Sequence, residues 1–327
     1  MANIYPNSNA ALFGAWILAN SNIRVTPARK IQIQTIITQA QTGGYVAQLY
    51  YSEFIAYTNQ WYAQYLQYNN QEPAIIPTTY DPLTTAWLAA LGTAPAQQTI
   101  YSVDAFFRQL RADGNLLLDY FFLFAQDNQA NATINLFNPG NFAITEHNAP
   151  TWTAYQGYTG NGTNMYLSVN YIDSTSGTNY TLNNAMFGAY TRSTLAAASK
   201  SLMGSDDGTN YNYIYQRYTG NVMINIINGY ASYNPANTIT QGNFLLQRTA
   251  NNAINIYREG VSLGTNNAAS TGLSSKQDYI MAVNSNGTPI DYNNNQYTCA
   301  YKGSGAINPV TFNSAVNLLM TNLGAHY

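Results

Sequence analysis

The chain has 327 residues, 46% of them hydrophobic and only 8% charged, with 12 basic and 14 acidic side chains giving a net charge of −2. Without a basic run or stripe, it lacks the many phosphate contacts on which nucleic-acid binding depends, so no nucleic-acid partner is expected. The single Cys299 excludes an intrachain disulfide framework and a thiolate zinc site.

An average soluble protein is about 25% charged, so the surface here must be covered by something else. Asn, Gln, Ser, Thr and 29 Tyr do that. A polar, nearly uncharged surface repels its neighbours weakly, which suits dense assemblies, adhesins and sugar contacts. At roughly 150 residues per domain the length predicts about two domains.

Residues 11 to 19, ALFGAWILA, are apolar but too few to span a membrane, and no Lys or Arg precedes them as in a signal peptide. The expectation is a chain made in a cytoplasm, with no membrane span. Thr26-Pro27 then opens a helix with Ile33, Ile36, Ile37 and Ala40 on one face. In the next helix Tyr50, Phe54, Tyr57, Trp61, Tyr65 and Tyr68 recur at helical spacing, a stripe of six rings that reads as a seam for oligomerisation or docking. Pro73, Pro77 and Pro82 make 71 to 82 an extended connector. A short helix is predicted over 83 to 91, and another from Ser102 with Val103, Phe106, Phe107 and Leu110 on one face, interrupted at Gly114. The run LLLDYFFLFA at 116 to 125 must be buried on nearly all sides, as a central helix or a core strand.

Asn138-Pro139-Gly140 marks a boundary, beyond which the pattern changes from period 3.6 to period 2. Strands are predicted at 151 to 157, 164 to 172, 184 to 192, 211 to 218, 222 to 229, 243 to 249, 253 to 263, 277 to 283 and 296 to 302. So many short strands imply a two-sheet sandwich. In 243 to 265 the alternation is clearest, with Glu259-Gly260 as a hairpin turn. Asn308-Pro309 opens a final helix with Phe312, Val316, Leu319 and Leu323 on one face. The fold class is α+β: a helical region over 1 to 140, for assembly, then an antiparallel jelly roll over 141 to 327 with a C-terminal helix.

The segments GYTGNGTNMYLSVNY (157 to 171), TNYTLNNAMFGAYTR (178 to 192), NFLLQRTANNAINIYREGVSLGT (243 to 265) and QDYIMAVNSNGTPIDYNNNQYTCAYKG (277 to 303), with the closing helix, resemble the concanavalin A-like, laminin G-type jelly roll of virion structural and tail-associated proteins of tailed bacteriophages. The segment 102 to 140 is similar to the helical lead-in of those proteins. This resemblance implies a non-enzymatic virion component, a fibre, tail or capsid-decorating subunit assembled in the host cytoplasm. Its partners would be other virion proteins and further copies of itself, with host cell-surface glycan as a possible ligand and no cofactor. The alternatives are a receptor-binding lectin-like module and a polysaccharide-degrading enzyme.

Retaining glucanases on this sandwich need two carboxylates about 5.5 Å apart. The four Glu stand at 53, 72, 146 and 259, with no two close in sequence, and Glu259 reads as a turn residue. A triad base would have to be His147 or His326, and a surface histidine is the expected reading of His147. Asp119, inside the apolar run, reads as a partly exposed or hydrogen-bonded carboxylate rather than a catalytic one. The best polar constellation is Asp206, Asp207 and Asn210, followed by Tyr211, Tyr213 and Tyr215. Its oxygens and rings suit sugar binding, and calcium is conceivable there, but a tight Asp-Gly turn is the stronger expectation, so no metal is assigned. Arg192, Arg217, Arg248 and Arg258 are expected to cover rings and cap sheet edges.

Overall fold

In the computed structural model, which describes residues 80–195 and 200–327, the period-3.6 segments near residue 100 and at the C-terminus form helices on one side of a β-sandwich. The helices expected before residue 80, and the stripe Tyr50, Phe54, Tyr57, Trp61, Tyr65 and Tyr68, lie outside the described residues. Helix α1 (Pro82–Ala90) starts on Asp81, whose carboxylate accepts from the Leu83 amide, with Pro at the first helical position. Helix α2 (Gln97–Ala112) begins five residues before the expected Ser102, buries Val103, Phe106, Phe107 and Leu110, and stops at Gly114 with φ 70°. Asp104 therefore sits in mid-helix; buried there, it accepts from the Asp81 amide and from Arg108 Nε. Helices α3 (Gln129–Ala132) and α4 (Asp173–Ser176) are single turns, and α5 (Pro309–Asn322) is the expected closing helix, with Asn308 Oδ1 capping the amides of Val310 and Thr311.

One sheet runs in the order β12 (Val261–Asn266), β11 (Ala253–Arg258), β10 (Gly242–Ala250), β6 (Ala185–Thr191), β16 (Gln296–Gly303), β4 (Gly157–Thr159), β3 (Thr151–Thr153), with β1 (Leu118–Leu123) also paired to β16. The second runs β15 (Thr288–Ile290), β14 (Val283–Ser285), β7 (Ser201–Asp206), β13 (Gln277–Ile280), β5 (Tyr166–Ile172), β2 (Ile144–His147); β8 (Tyr211–Tyr218) pairs with β7, and β9 (Val222–Gly229) with β8. All pairings are antiparallel except β14 with β7. Strand β1 lies before the boundary expected at 138 to 140, yet is built into the first sheet.

The first sheet is covered on both faces. Tyr120, Phe122, Phe187, Ala189, Phe244 and Leu246 point into the cluster between the sheets, while Phe121, Leu123, Met186, Tyr190 and Leu245 join Phe106, Phe107, Phe312, Val316 and Leu319 beneath the helices. That resolves the run 116 to 125: it is a strand whose two faces both meet apolar layers, so its period of two is invisible in the sequence. Each fully buried large side chain stabilises by about 1.5–3 kcal/mol. The closing helix packs beside α2 over the first sheet, with Phe312 4.8 Å from Tyr301 by ring centroids.

Candidate functional site

With the first sheet enclosed, among the described residues it is the outer face of the second sheet that carries side chains pointing away from both cores. Strand β8, YNYIYQRY, alternates: Asn212, Ile214 and Gln216 are buried inward, with Ile214 in the core, so Tyr211, Tyr213 and Tyr215 take the opposite face. Their rings meet edge to face, Tyr211 to Tyr213 at 6.2 Å and 88°, Tyr213 to Tyr215 at 5.2 Å and 83°, continuing to Tyr218 at 5.8 Å and to Tyr230 at 5.3 Å from Tyr211. Tyr215 is buried and anchors the row; Tyr211, Tyr213 and Tyr218 are half-buried, and Tyr230 is 70% exposed. The cross-strand partners Ile226 and Ile224 lie beside Tyr213 and Tyr215.

Gly204 of β7 is in register with Tyr213 on one neighbour and Tyr279 on another. A side chain there would collide with Tyr213 Cβ and the Asn212 carbonyl, so the floor between the two tyrosines stays bare. Beyond it Tyr279 packs 4.6 Å from Tyr166, which stacks on His147 at 4.2 Å and 1° and lies 6.1 Å from Tyr292. Alternating strands from distant parts of the chain thus gather tyrosines on one surface.

Two carboxylates border it. Asp206, directly across from Tyr211, is buried; that burial raises its pKa, although the Ser285 hydroxyl and the Gly208 amide oppose the rise. Asp291 accepts from Tyr215 Oη at 2.5 Å. Burial, then the charges of Asp206 and Asp291 among others, push the Tyr213 phenol up to about 12, so it remains a neutral donor and acceptor at physiological pH. Asp207 and Asn210 are tied into the turn beside it. The Asp207 carboxylate accepts from the amides of Thr209, Asn210 and Ser275 and from Asn210 Nδ2, while Asn210 Oδ1 receives Thr271 Oγ1. These donors outweigh the upward pull of burial and bring Asp207 down to about 2. The tight turn is therefore what these two residues build. Among the described residues no three His, Cys, Asp or Glu side chains are gathered to hold a metal ion.

The other sequence candidates fall elsewhere. His147 is half-buried and not a free surface residue; its Nε2 is 2.9 Å from Ser168 Oγ, and burial lowers its pKa. Asp119 is the hydrogen-bonded carboxylate expected, accepting from Tyr171 Oη and from the amides of Thr178, Asn179 and Tyr180. Glu259 sits at φ 52° in the β11–β12 turn, and its two oxygens receive the Asn243 amide and Asn317 Nδ2. Arg192, Arg217 and Arg258 reach Gln296 Oε1, Asn221 Oδ1 and the Gln241 carbonyl. Arg248 departs from the edge-capping reading: it is wholly buried among backbone carbonyls. Sequence reasoning found Tyr211, Tyr213 and Tyr215 through their alternation but missed Gly204, Tyr166 and Tyr279, which the pairing of β7 with β13 and of β13 with β5 brings near, and Asp291, which arrives through the pairing of β15 with β14 and of β14 with β7.

No family model and no curated protein sequence matches the chain. Solved structures that it resembles include domain 4 of AbnA, a GH43 extracellular arabinanase from Geobacillus stearothermophilus in complex with arabinotriose, at 14% identity over 61% of this chain and 98% of that one, with a TM-score of 0.39. A structure of botulinum neurotoxin type C, a toxin whose cell entry is described as dependent upon interaction with two ganglioside molecules, aligns at 13% identity over 60% of this chain and 51% of its own, with a TM-score of 0.43. Trypanosoma rangeli sialidase aligns at 11% identity over 67% and 40%, also with a TM-score of 0.43. The chain thus spans about half of that toxin chain and two fifths of that sialidase chain. Likenesses this weak carry no argument about function, which has to come from the tyrosine face itself.

Proposed function

We propose that the chain is a non-enzymatic glycan-binding module that presents the outer face of its second sheet to a saccharide. The observation that carries this reading is the edge-to-face row Tyr211, Tyr213, Tyr215, Tyr218 with exposed Tyr230, bordered by Asp206 and Asp291. A pyranose has an apolar C–H face that packs on an aromatic ring and a rim of hydroxyls that pair with carboxylates and phenols, so this combination matches both halves of a sugar. The packed, buried rings of Tyr215, Tyr166 and Tyr279 hold the half-buried ones in place before ligand arrives, which lowers the ordering cost of binding. The virion setting, with other virion proteins and further copies of this chain as partners, rests on the sequence resemblance over 102 to 140 and 157 to 303. There the module would recognise host surface glycan.

Titration calorimetry with the full chain tests the reading, beginning with arabinotriose and a ganglioside headgroup as probes. Tyr213→Ala and Tyr230→Ala should each weaken saccharide binding about tenfold or more, the equivalent of about 1.4 kcal/mol. Binding unchanged in both variants would place the ligand elsewhere. Release of reducing ends from a polysaccharide would replace the binding-module reading with the enzymatic one.

A further inference from the structure

The core between the sheets contains a lysine. Lys302, inward-facing on β16 of the first sheet, contacts Asp173 Oδ1 and lies 2.9 and 2.8 Å from the two oxygens of Asp278 in the second sheet. The three side chains are 1%, 0% and 1% exposed. Aromatic rings wall the ammonium: Tyr180 at 4.5 Å, Tyr171 at 5.2 Å and Phe187 at 5.4 Å from their centroids. Asn212 Nδ2 donates to the other oxygen of Asp173 at 2.6 Å, and Tyr120 Oη and Ser205 Oγ donate to Asp278. Hydrophobic replacement of a buried ion pair is often neutral or stabilising, so this triad has no evident reason to exist as charge alone.

We propose that Lys302 and Asp173 are joined by an isopeptide bond that the protein forms on itself, with Asp278 as the proton carrier. Fully ionised, the triad would hold one positive and two negative charges in the core; burial pushes the Asp173 carboxyl up, toward the neutral acid that an attacking amine requires. Lys302 Nζ gives a proton to Asp278, and the free amine attacks Cγ of the Asp173 carboxylic acid, whose Oδ2 is polarised by Asn212. Asp278 returns a proton to the departing hydroxyl on the Oδ1 side, and the nitrogen loses its second proton back to Asp278. The Nζ–Cγ bond forms, the Cγ–Oδ1 bond breaks, one water leaves, and Asp278 ends protonated. No oxidant or activated donor is needed. Contact between the groups replaces the activation that a bimolecular amide synthesis would demand, and dry surroundings disfavour hydrolysis of the product. The bond ties the first sheet to the second through residues 129 positions apart in sequence.

Intact mass spectrometry of the purified full chain, denatured before measurement, decides it. The expected mass is lower than that of the sequence by one water. A protease map should yield one branched peptide containing residues 173 and 302, with no tryptic cleavage after Lys302. Asp278→Asn should have its full mass and release ordinary peptides, while circular dichroism shows it folded. A native protein of full mass, cleaved normally after Lys302, would overturn the proposal. So would a lost water that maps to Asp207-Gly208, where succinimide formation gives the same mass change. A branched peptide persisting in Asp278→Asn would overturn the role given to Asp278.

Discussion

Arg248 stands on β10 of the first sheet with its side chain fully buried, and its guanidinium spans the gap to β9 of the second. Nε and Nη2 donate to the Ile227 carbonyl at 3.1 and 2.7 Å, and Nη1 donates to the carbonyls of Asn251 and, at 3.0 Å, Ala268. A contact to Ala250 O at 3.4 Å adds little. Replacement by Met keeps much of the stem and removes the donors, leaving the Ile227 and Ala268 carbonyls short of a partner at about 1–3 kcal/mol each, while the Asn251 carbonyl keeps the Ser270 amide. Against that stands relief of an expensive buried cation, whose pKa is lowered chiefly by that burial. The net expectation is a loss of about 3–5 kcal/mol, a large part of the roughly 5–15 kcal/mol typical of a folded protein. Urea denaturation followed by tryptophan fluorescence should show the midpoint falling with an unchanged slope. Arg248→Lys, which keeps charge but not the fork, should lie between wild type and Met. A loss below about 1 kcal/mol in Arg248→Met would refute the idea that this guanidinium clamps one sheet to the other.

Other expectations concern the site and the core. Asp207 falls from 3.8 to about 2 in the fold, so the stability it contributes is present above the unfolded value and is lost as pH drops through the folded one. That drop would be worth about 2.5 kcal/mol at most, and partial exposure reduces this to about 1 kcal/mol; acid unfolding of Asp207→Asn should show that much less dependence between about pH 4 and 2. Gly204→Val should destabilise by about 2 kcal/mol or more, read by the thermal midpoint, because a branched carbon has to displace the Tyr213 backbone and Cβ. An unchanged midpoint would show that β7 and β8 can part freely. Burial pushes the Cys299 thiol well above its ordinary range, so a thiol reagent should label it only at the rate of unfolding, and fast labelling of native protein would contradict its place beneath the helices.

The hairpins of 243 to 265 were legible from the alternation of residue types and the turn residues at 251 to 252 and 259 to 260, although only β11 alternates in burial and β10 is buried at seven consecutive positions. Strand β7 was not, since SLMGSD is buried at every position and contains a glycine, the mark of a turn in other contexts. The predicted strand 277 to 283 divides into β13 and β14 around Met281 at φ 68°, a conformation no residue type there announces. Half of the candidate surface could be read from β8 alone, since local alternation sets which tyrosines share a face. The rest depends on which strands become neighbours across more than sixty residues, as with Tyr213 and Tyr279 on either side of Gly204. The buried Lys302, Asp173, Asp278 and Arg248 escaped for a related reason: isolated charges in a sequence look like surface until their partners are known.

Strand β8 divides its residues between two tasks by parity. Asn212, Ile214 and Gln216 serve the interior, and Tyr211, Tyr213 and the tyrosine row serve the exterior. Substitutions at the odd-numbered positions of this strand can therefore alter what the surface recognises while leaving the inner packing layer untouched. A library varied at 211, 213, 224 and 230 changes the outer face on a constant scaffold, and the same separation gives natural variants freedom to change that face without having to refold around it.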